Sequence, residues 1–351
     1  MLLRKIDFAD PTIQSKLDLS SLNANLSWND YYASYAYVIY QTMQAVFDMP
    51  YPYSPHGKAI LFLMRHTLEL QLKGELYRKG KTIPYSANVA EIIDELGKDV
   101  PKEIQRLIEI INQDQNGHCY RYHVDPCTKS TYFNSTKVIE TTEYFSIYEQ
   151  IVNAGIYKAE PICPTLKLHK DWDLNFKVTH ELQYWHLRFQ YDYIIEILLE
   201  GILNESISLQ NCYIPLLFLI RHAIELSLKS FVWDLENFNS TDFKNSLCAE
   251  YKLVELHKAF DTFLGSLDVK KMDVEMQEEL IHLRNQFNQH HETISALDVY
   301  NELFRFPGDK AIELIKIPLA DLVALYYCSN SILTFNTETL IKEKILESTS
   351  Y

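Results

Sequence analysis

The segment LFLMRHTLELQLK at 61–73 returns as LFLIRHAIELSLK at 217–229, with nine of thirteen positions identical. A helical segment written twice in one chain constrains architecture before it says anything about activity. The match extends backward without a gap: SYAYVIYQTMQAVF (34–47) falls on QYDYIIEILLEGIL (190–203), so that Tyr35 meets Tyr191 and Tyr37 meets Tyr193. Further on the offset changes from 156 to 184, and DQNGHCYRYHVD (114–125) falls on DVYNELFRFPGD (298–309). Asp114 then meets Asp298, Arg121 meets Arg305 and Asp125 meets Asp309, with an aromatic on each side of both arginines. The second copy thus carries about 28 extra residues, which fall best in the Asn-, Ser- and Asp-containing stretch 233–252.

This pattern predicts an all-α protein of two duplicated helical bundles packed face to face about a pseudo-twofold axis. Only 9 Gly and 12 Pro among 351 residues leave little material for the turns of a sandwich or barrel. Two prolines in KAEPICPTLKLHKDWD (158–173) mark the boundary between copies. The expected division is an extension 1–24, a helical domain 25–157, a linker 158–179, a second helical domain 180–336 and a tail 337–351. Each copy reads as a Tyr-rich helix, the RH helix, a connecting helix (VAEIIDELG or LVELHKAFDTFLGSL), a further helix, the YRY or FRF segment and a terminal helix. VIETTEYFSIYEQIVNA (138–154) and ADLVALYYCSNSILTF (320–335) suit the last role.

A net charge of −14 argues against a broad electrostatic grip on nucleic acid, and no DNA partner is expected, although a local basic pocket is compatible with it. Six cysteines lie scattered without a CxxC pair, and MLLRKIDFAD lacks the apolar core of a signal peptide. A cytoplasmic protein with reduced thiols is the expectation. The longest apolar run stops at Arg221, short of a membrane span. No phosphate loop, dinucleotide fingerprint or nucleophile elbow is present, so no cofactor is expected.

In the RH helix, Arg65, Glu69 and Lys73 stand at i, i+4 and i+8 and form one charged stripe, repeated as Arg221, Glu225 and Lys229. An ion ladder on a half-exposed face accounts for the charges. His66 and His222 recur with them and suit a hydrogen-bonding role at a core or interface. These eight residues form the structural signature of the repeat.

Chemistry is better sought at LIHLRNQFNQHH (280–291), where Arg284 is followed by Asn285 and then by His290 and His291. A histidine titrating near neutrality can move the proton of an RNA 2′-hydroxyl or protonate the leaving oxygen, and an arginine can steady the phosphate without metal. The spacing by itself arises about once by chance in a chain with twelve histidines, and a solvated helix end is the plain alternative. HCYRYHVD (118–125) offers His118, Cys119, His123 and Asp125 as conceivable metal ligands. The second copy has Glu302, Leu303, Pro307 and Asp309 there, so no metal site is expected. Arg121 and Arg305, flanked by aromatics, suit either stacking on a nucleotide or anchoring a loop.

The unit resembles the HEPN superfamily of small helical bundles. The acidic residue and lysine followed by apolar residues in HTLELQLKGEL and HAIELSLKSFV match its second helix, RNQFNQH matches the Arg-polar-His set of its nuclease members, and the FRFP segment with Asp298 before it is similar to a segment of some members. The resemblance implies a metal-independent endoribonuclease, of the kind that serves as a toxin or antiviral effector, with a site where two domains meet. It makes Arg284, Asn285 and His290 the expected catalytic residues. The first copy has VPKEIQR or IINQDQNGH at the corresponding place and lacks the set. Activity would then draw on a second chain, or on a composite site with His291, His118, Arg121 and His123. The alternative reading is a non-catalytic adaptor that binds a protein partner or self-associates through its aromatic surface.

Overall fold

The computed structural model describes residues 7–22, 25–47, 53–54, 57–97, 117–122, 132, 137–140, 175–178, 184–233, 252–299, 302–308 and 318–334. A short helix, α1 (Pro11–Lys16), starts at Asp10, whose carboxylate accepts from the Thr12 N–H. The Tyr-rich helix α2 (Trp28–Phe47) begins with a reciprocal cap in which Ser27 and Asp30 bond each other's backbone N–H groups. The RH helix α3 (Gly57–Arg78) follows, then α4 (Val89–Leu96), capped by Asn88 and closed by Gly97 at φ 92°. The second copy supplies α5 (Tyr184–Leu203), α6 (Leu209–Trp233), α7 (Leu253–Ser266), α8 (Val274–Gln289), α9 (His291–Val299) and α10 (Leu319–Thr334).

The protein is predominantly helical, as the composition predicts, but it is not purely so. Strands β1 (Tyr53–Ser54), β2 (Lys137–Glu140) and β3 (Asn175–Val178) form a small sheet in the order β1-β3-β2. β3 runs parallel to β1 with Tyr53 opposite Asn175, and antiparallel to β2 with Ile139 opposite Phe176. The helical fold class holds, and two short stretches depart from the expected element map. Residues 138–140 open as strand where a terminal helix was expected, and 175–178 pair where a linker was expected. KVIE and NFKV alternate side chains over only four residues, too short a window for the period to register beside long helical patterns. The remainder of the expected terminal helix at 141–154, the stretch 158–173, the tail 337–351 and the loop 234–251 lie outside the described residues.

Two helices form the axis of the molecule. Every residue from Gly57 to Lys73 in α3 is buried, and so is every residue from Cys212 to Ser230 in α6. A helix buried all round normally carries apolar residues all round, so the charges in these two can persist only if they are neutralised in place. α2 packs on both α3 and α6, α5 packs on both α6 and α3, and α10 lies along α6. One hydrophobic core therefore runs through both copies of the repeat. At its centre the equivalent residues Phe62 and Phe218 stack on each other, with ring centroids 5.2 Å apart at 22°.

Candidate functional site

The repeated charges close into two matched internal networks. Arg65 donates to Glu69 at 3.0 Å and Lys73 donates to the other carboxylate oxygen at 2.9 Å; Arg221, Glu225 and Lys229 repeat this at 3.0 and 2.9 Å. Glu69 and Glu225 are 0% exposed, which overturns the expectation of a half-exposed ladder. An i, i+4 ladder looks the same in sequence on a surface or in a core. What decides between them is the cover that other elements supply, and here it comes from a distant part of the chain.

That cover is exchanged between the copies. The YRY segment of the first copy packs on the RH helix of the second: Tyr122 donates to Glu225 at 2.8 Å, its ring meets His222 edge-on, and Lys229 lies 4.4 Å over it. The FRF segment of the second copy packs on the RH helix of the first: the Phe306 ring meets His66 edge-on, Lys73 lies 4.4 Å over it, and His66 Nε2 donates to the Arg305 carbonyl at 3.1 Å. Tyr191 donates to the Tyr120 carbonyl at 3.0 Å, as Tyr35 donates to the Phe304 carbonyl at 2.9 Å. Arg121 bonds the Tyr122 hydroxyl and lies above both Phe62 and Phe218, on the line between the copies. The aromatic-Arg-aromatic segments are thus anchors of the interior.

Burial holds His66 and His222 neutral, with the pKa of each pushed down to about 4, although Glu69 and Glu225 pull the other way. Burial likewise opposes ionisation of Glu69. The hydrogen bonds and charges of Arg65 and Lys73 outweigh it, so this carboxyl stays ionised well below the usual range. Glu225 behaves in the same way, with Lys229 the leading charge against desolvation.

The helices α7, α8 and α9 carry a different set, on the outside. Arg284 of α8 clasps Asp261 of α7 with two bonds, Nε at 2.6 Å and Nη2 at 2.9 Å, and keeps 41% of its side chain exposed. His257, one turn before Asp261, bonds Asn288, one turn after Arg284, through Nε2 at 3.0 Å. The Asn288 atom that faces the ring is its side-chain carbonyl oxygen, which only accepts. Nε2 of His257 is then the protonated nitrogen, and the lone pair of the neutral ring sits on Nδ1. The ring of His291, exposed at the start of α9, lies 6.4 Å from that of His257.

Electrostatics differ across this cluster. Arg284 holds Asp261 below the usual carboxylate range, and Asp261 raises the Arg284 guanidinium in turn. Burial lowers the pKa of His257, while Asn288 and Asp261 partly restore it. The sequence-expected residues separate accordingly. Asn285 is exposed on α8. His290 caps the helix, half-buried, with its pKa lowered by burial and Asp321 its charged neighbour. Arg284 is turned instead toward α7. His118 meets the Tyr122 ring edge-on, Arg121 belongs to the interior, and His123 lies outside the described residues, as do VPKEIQR (100–106) and residues 110–116 of IINQDQNGH. His257 and Asp261 escaped the sequence reading because their partners are 31 and 23 residues away. The signal available was their i, i+4 spacing on a predicted helix.

Among the described residues no group of three or more His, Cys, Asp or Glu is placed to hold a metal ion, and no helix is long and apolar enough to cross a membrane. Comparison with protein-family models, with curated proteins and with solved structures finds no match.

Proposed function

We propose that the protein is a metal-independent endoribonuclease of HEPN kind, acting at the α7–α8–α9 cluster. The observation that carries this reading is the pair of imidazoles, His257 and His291, 6.4 Å apart, with the part-exposed Arg284 held on Asp261 one turn along α7 from His257. A single phosphodiester spans such a gap while each ring keeps a hydrogen bond of about 2.6–3.2 Å. Nδ1 of His257 takes the 2′-hydroxyl proton as the 2′-oxygen bonds to phosphorus. His291, from its protonated form, gives a proton to the departing 5′-oxygen as the P–O bond breaks. Arg284 keeps Nη1 for the phosphate oxygens while Asp261 fixes the plane of the guanidinium. The products are a 2′,3′-cyclic phosphate and a 5′-hydroxyl. The HEPN assignment, with its toxin or antiviral context, rests on the sequence resemblance.

A non-catalytic adaptor is the second reading, favoured by the net charge of −14 and by the engagement of Arg284 with Asp261. Labelled single-stranded RNA incubated with the protein in EDTA separates the two. Cleavage that survives chelation, falls at least about a hundredfold in His257→Ala, His291→Ala and Arg284→Ala, and persists in His290→Ala is the expected result. Equal background in all five proteins would leave the adaptor. Because burial depresses the His257 pKa, the acid limb of the pH–rate profile should lie below 6.5.

A further inference from the structure

On the far side of α3 the two copies of the repeat differ. In the second copy Arg188 of α5 is buried and reaches Ser227 of α6, Ser329 and the Tyr326 carbonyl of α10, filling the angle between α5 and α6. The equivalents of Arg188 and Ser227 in the first copy are Tyr32 and Gln71, by the same offset of 156. Between α2 and α3 these residues line a cavity of about 300 Å³, together with Trp28, Tyr77, Glu75 and Arg78. Gln71 is only 5% exposed, and no hydrogen bond reaches its amide among the described residues. Its amide is not sealed in the core but lines the cavity, where its donor and acceptor can meet a guest.

We propose that this cavity is a binding site for a flat heteroaromatic ligand whose edge carries a hydrogen-bond donor beside an acceptor, the edge shared by nucleobases and aromatic carboxamides. The Gln71 amide presents the complementary donor and acceptor, in either orientation of its end group. Trp28, Tyr32 and Tyr77 line it with aromatic rings, and Tyr77 is 66% exposed. The volume lies at the small end of ligand sites, enough for one ring system and not for a peptide. At the rim Arg78 pairs with the Glu75 carboxylate, which Lys79 also approaches. Gly74 keeps the wall thin, since a Cβ there would stand 3.2 Å from Trp28. The site is separate from the α7–α8–α9 cluster and does not depend on the cleavage reading.

Isothermal titration of the full chain with AMP, UMP, nicotinamide and an eight-residue single-stranded RNA tests it, with ribose 5-phosphate as the probe that lacks a ring. Saturable binding of at least one ring-bearing probe, none of ribose 5-phosphate, and a tenfold or larger rise in Kd in Gln71→Leu and in Tyr77→Ala is the expected result. The RNA arm against the mononucleotide arms tells a strand-borne base from a free one. Thermal unfolding of each variant shows that it is folded, and Tyr77→Ala, exposed, should leave the midpoint unchanged. No binding of any ring-bearing probe, or binding that both substitutions leave intact, overturns the proposal.

Discussion

At the scale of single residues, the two copies of the core are alike in geometry but not in chemistry. Glu225 receives a third bond from the Tyr122 hydroxyl, whereas Phe306 stands at the equivalent place beside Lys73 and His66 and has no hydroxyl to give. Tyr122→Phe should therefore destabilise the protein by about 2 kcal/mol, the usual worth of a hydrogen bond to a buried charged group. Urea midpoints at pH 7 measure it, and a cycle with Glu225→Gln shows whether the loss belongs to that pair. The histidines make a second prediction. His66 and His222 have folded pKa values near 4 against 6.5 for the unfolded chain, so below 6.5 the unfolded state binds the extra protons. Stability must fall as pH drops from 6.5 toward 4, by on the order of 3 kcal/mol for each histidine, and Glu69 and Glu225 add their loss at still lower pH. Urea midpoints at pH 7, 5.5 and 4.5 should decline, with a shallower slope in His222→Gln.

At the scale of elements, α7 shows how the candidate site is held. Lys252 at its N-cap does not cap the helix with its side chain. Asp298 of α9 supplies the cap from a distance, accepting from the Leu253 and Val254 N–H groups at 2.8 and 2.9 Å and meeting Arg221 at 3.3 Å. One carboxylate thus ties α6, α7 and α9 together, and α7 carries His257 and Asp261. Asp298→Ala should cost about 2 kcal/mol or more, and Asp298→Asn clearly less because it keeps an acceptor. Thermal unfolding reads the loss, and the His257 imidazole resonances should move in the alanine variant. The sequence match had already aligned Asp298 with Asp114, so the residue was visible as a repeated one. Its capping role was not, because it acts 44 and 45 residues from its partners. The helices themselves were legible from apolar spacing and turn residues, apart from the four-residue strands. Arg284 stood out by its motif, but its companions were found only through the packing of α7 on α8.

At the scale of the whole molecule, the repeat was legible as two copies but not as an exchange. Matching residues in a sequence says that the same contacts recur; it cannot say whether Tyr122 completes its own RH helix or the other one. The structure places it on α6, and Phe306 on α3, so each copy contributes the lid of the other's buried charges. The energetic consequence is cooperativity, because uncovering Glu69 or Glu225 exposes a charge network that the other copy was shielding. Glu69→Gln and Glu225→Gln each leave an arginine and a lysine buried against a neutral amide, which should cost about 3–5 kcal/mol. Each substitution should lower a single unfolding transition of the entire chain, rather than melting the copy it belongs to. Tryptophan fluorescence and far-UV circular dichroism, followed through urea unfolding, should give coincident curves in the parent and in both variants. Two separated transitions, with only one of them moved by Glu69→Gln, would show that the copies fold independently despite the exchanged segments.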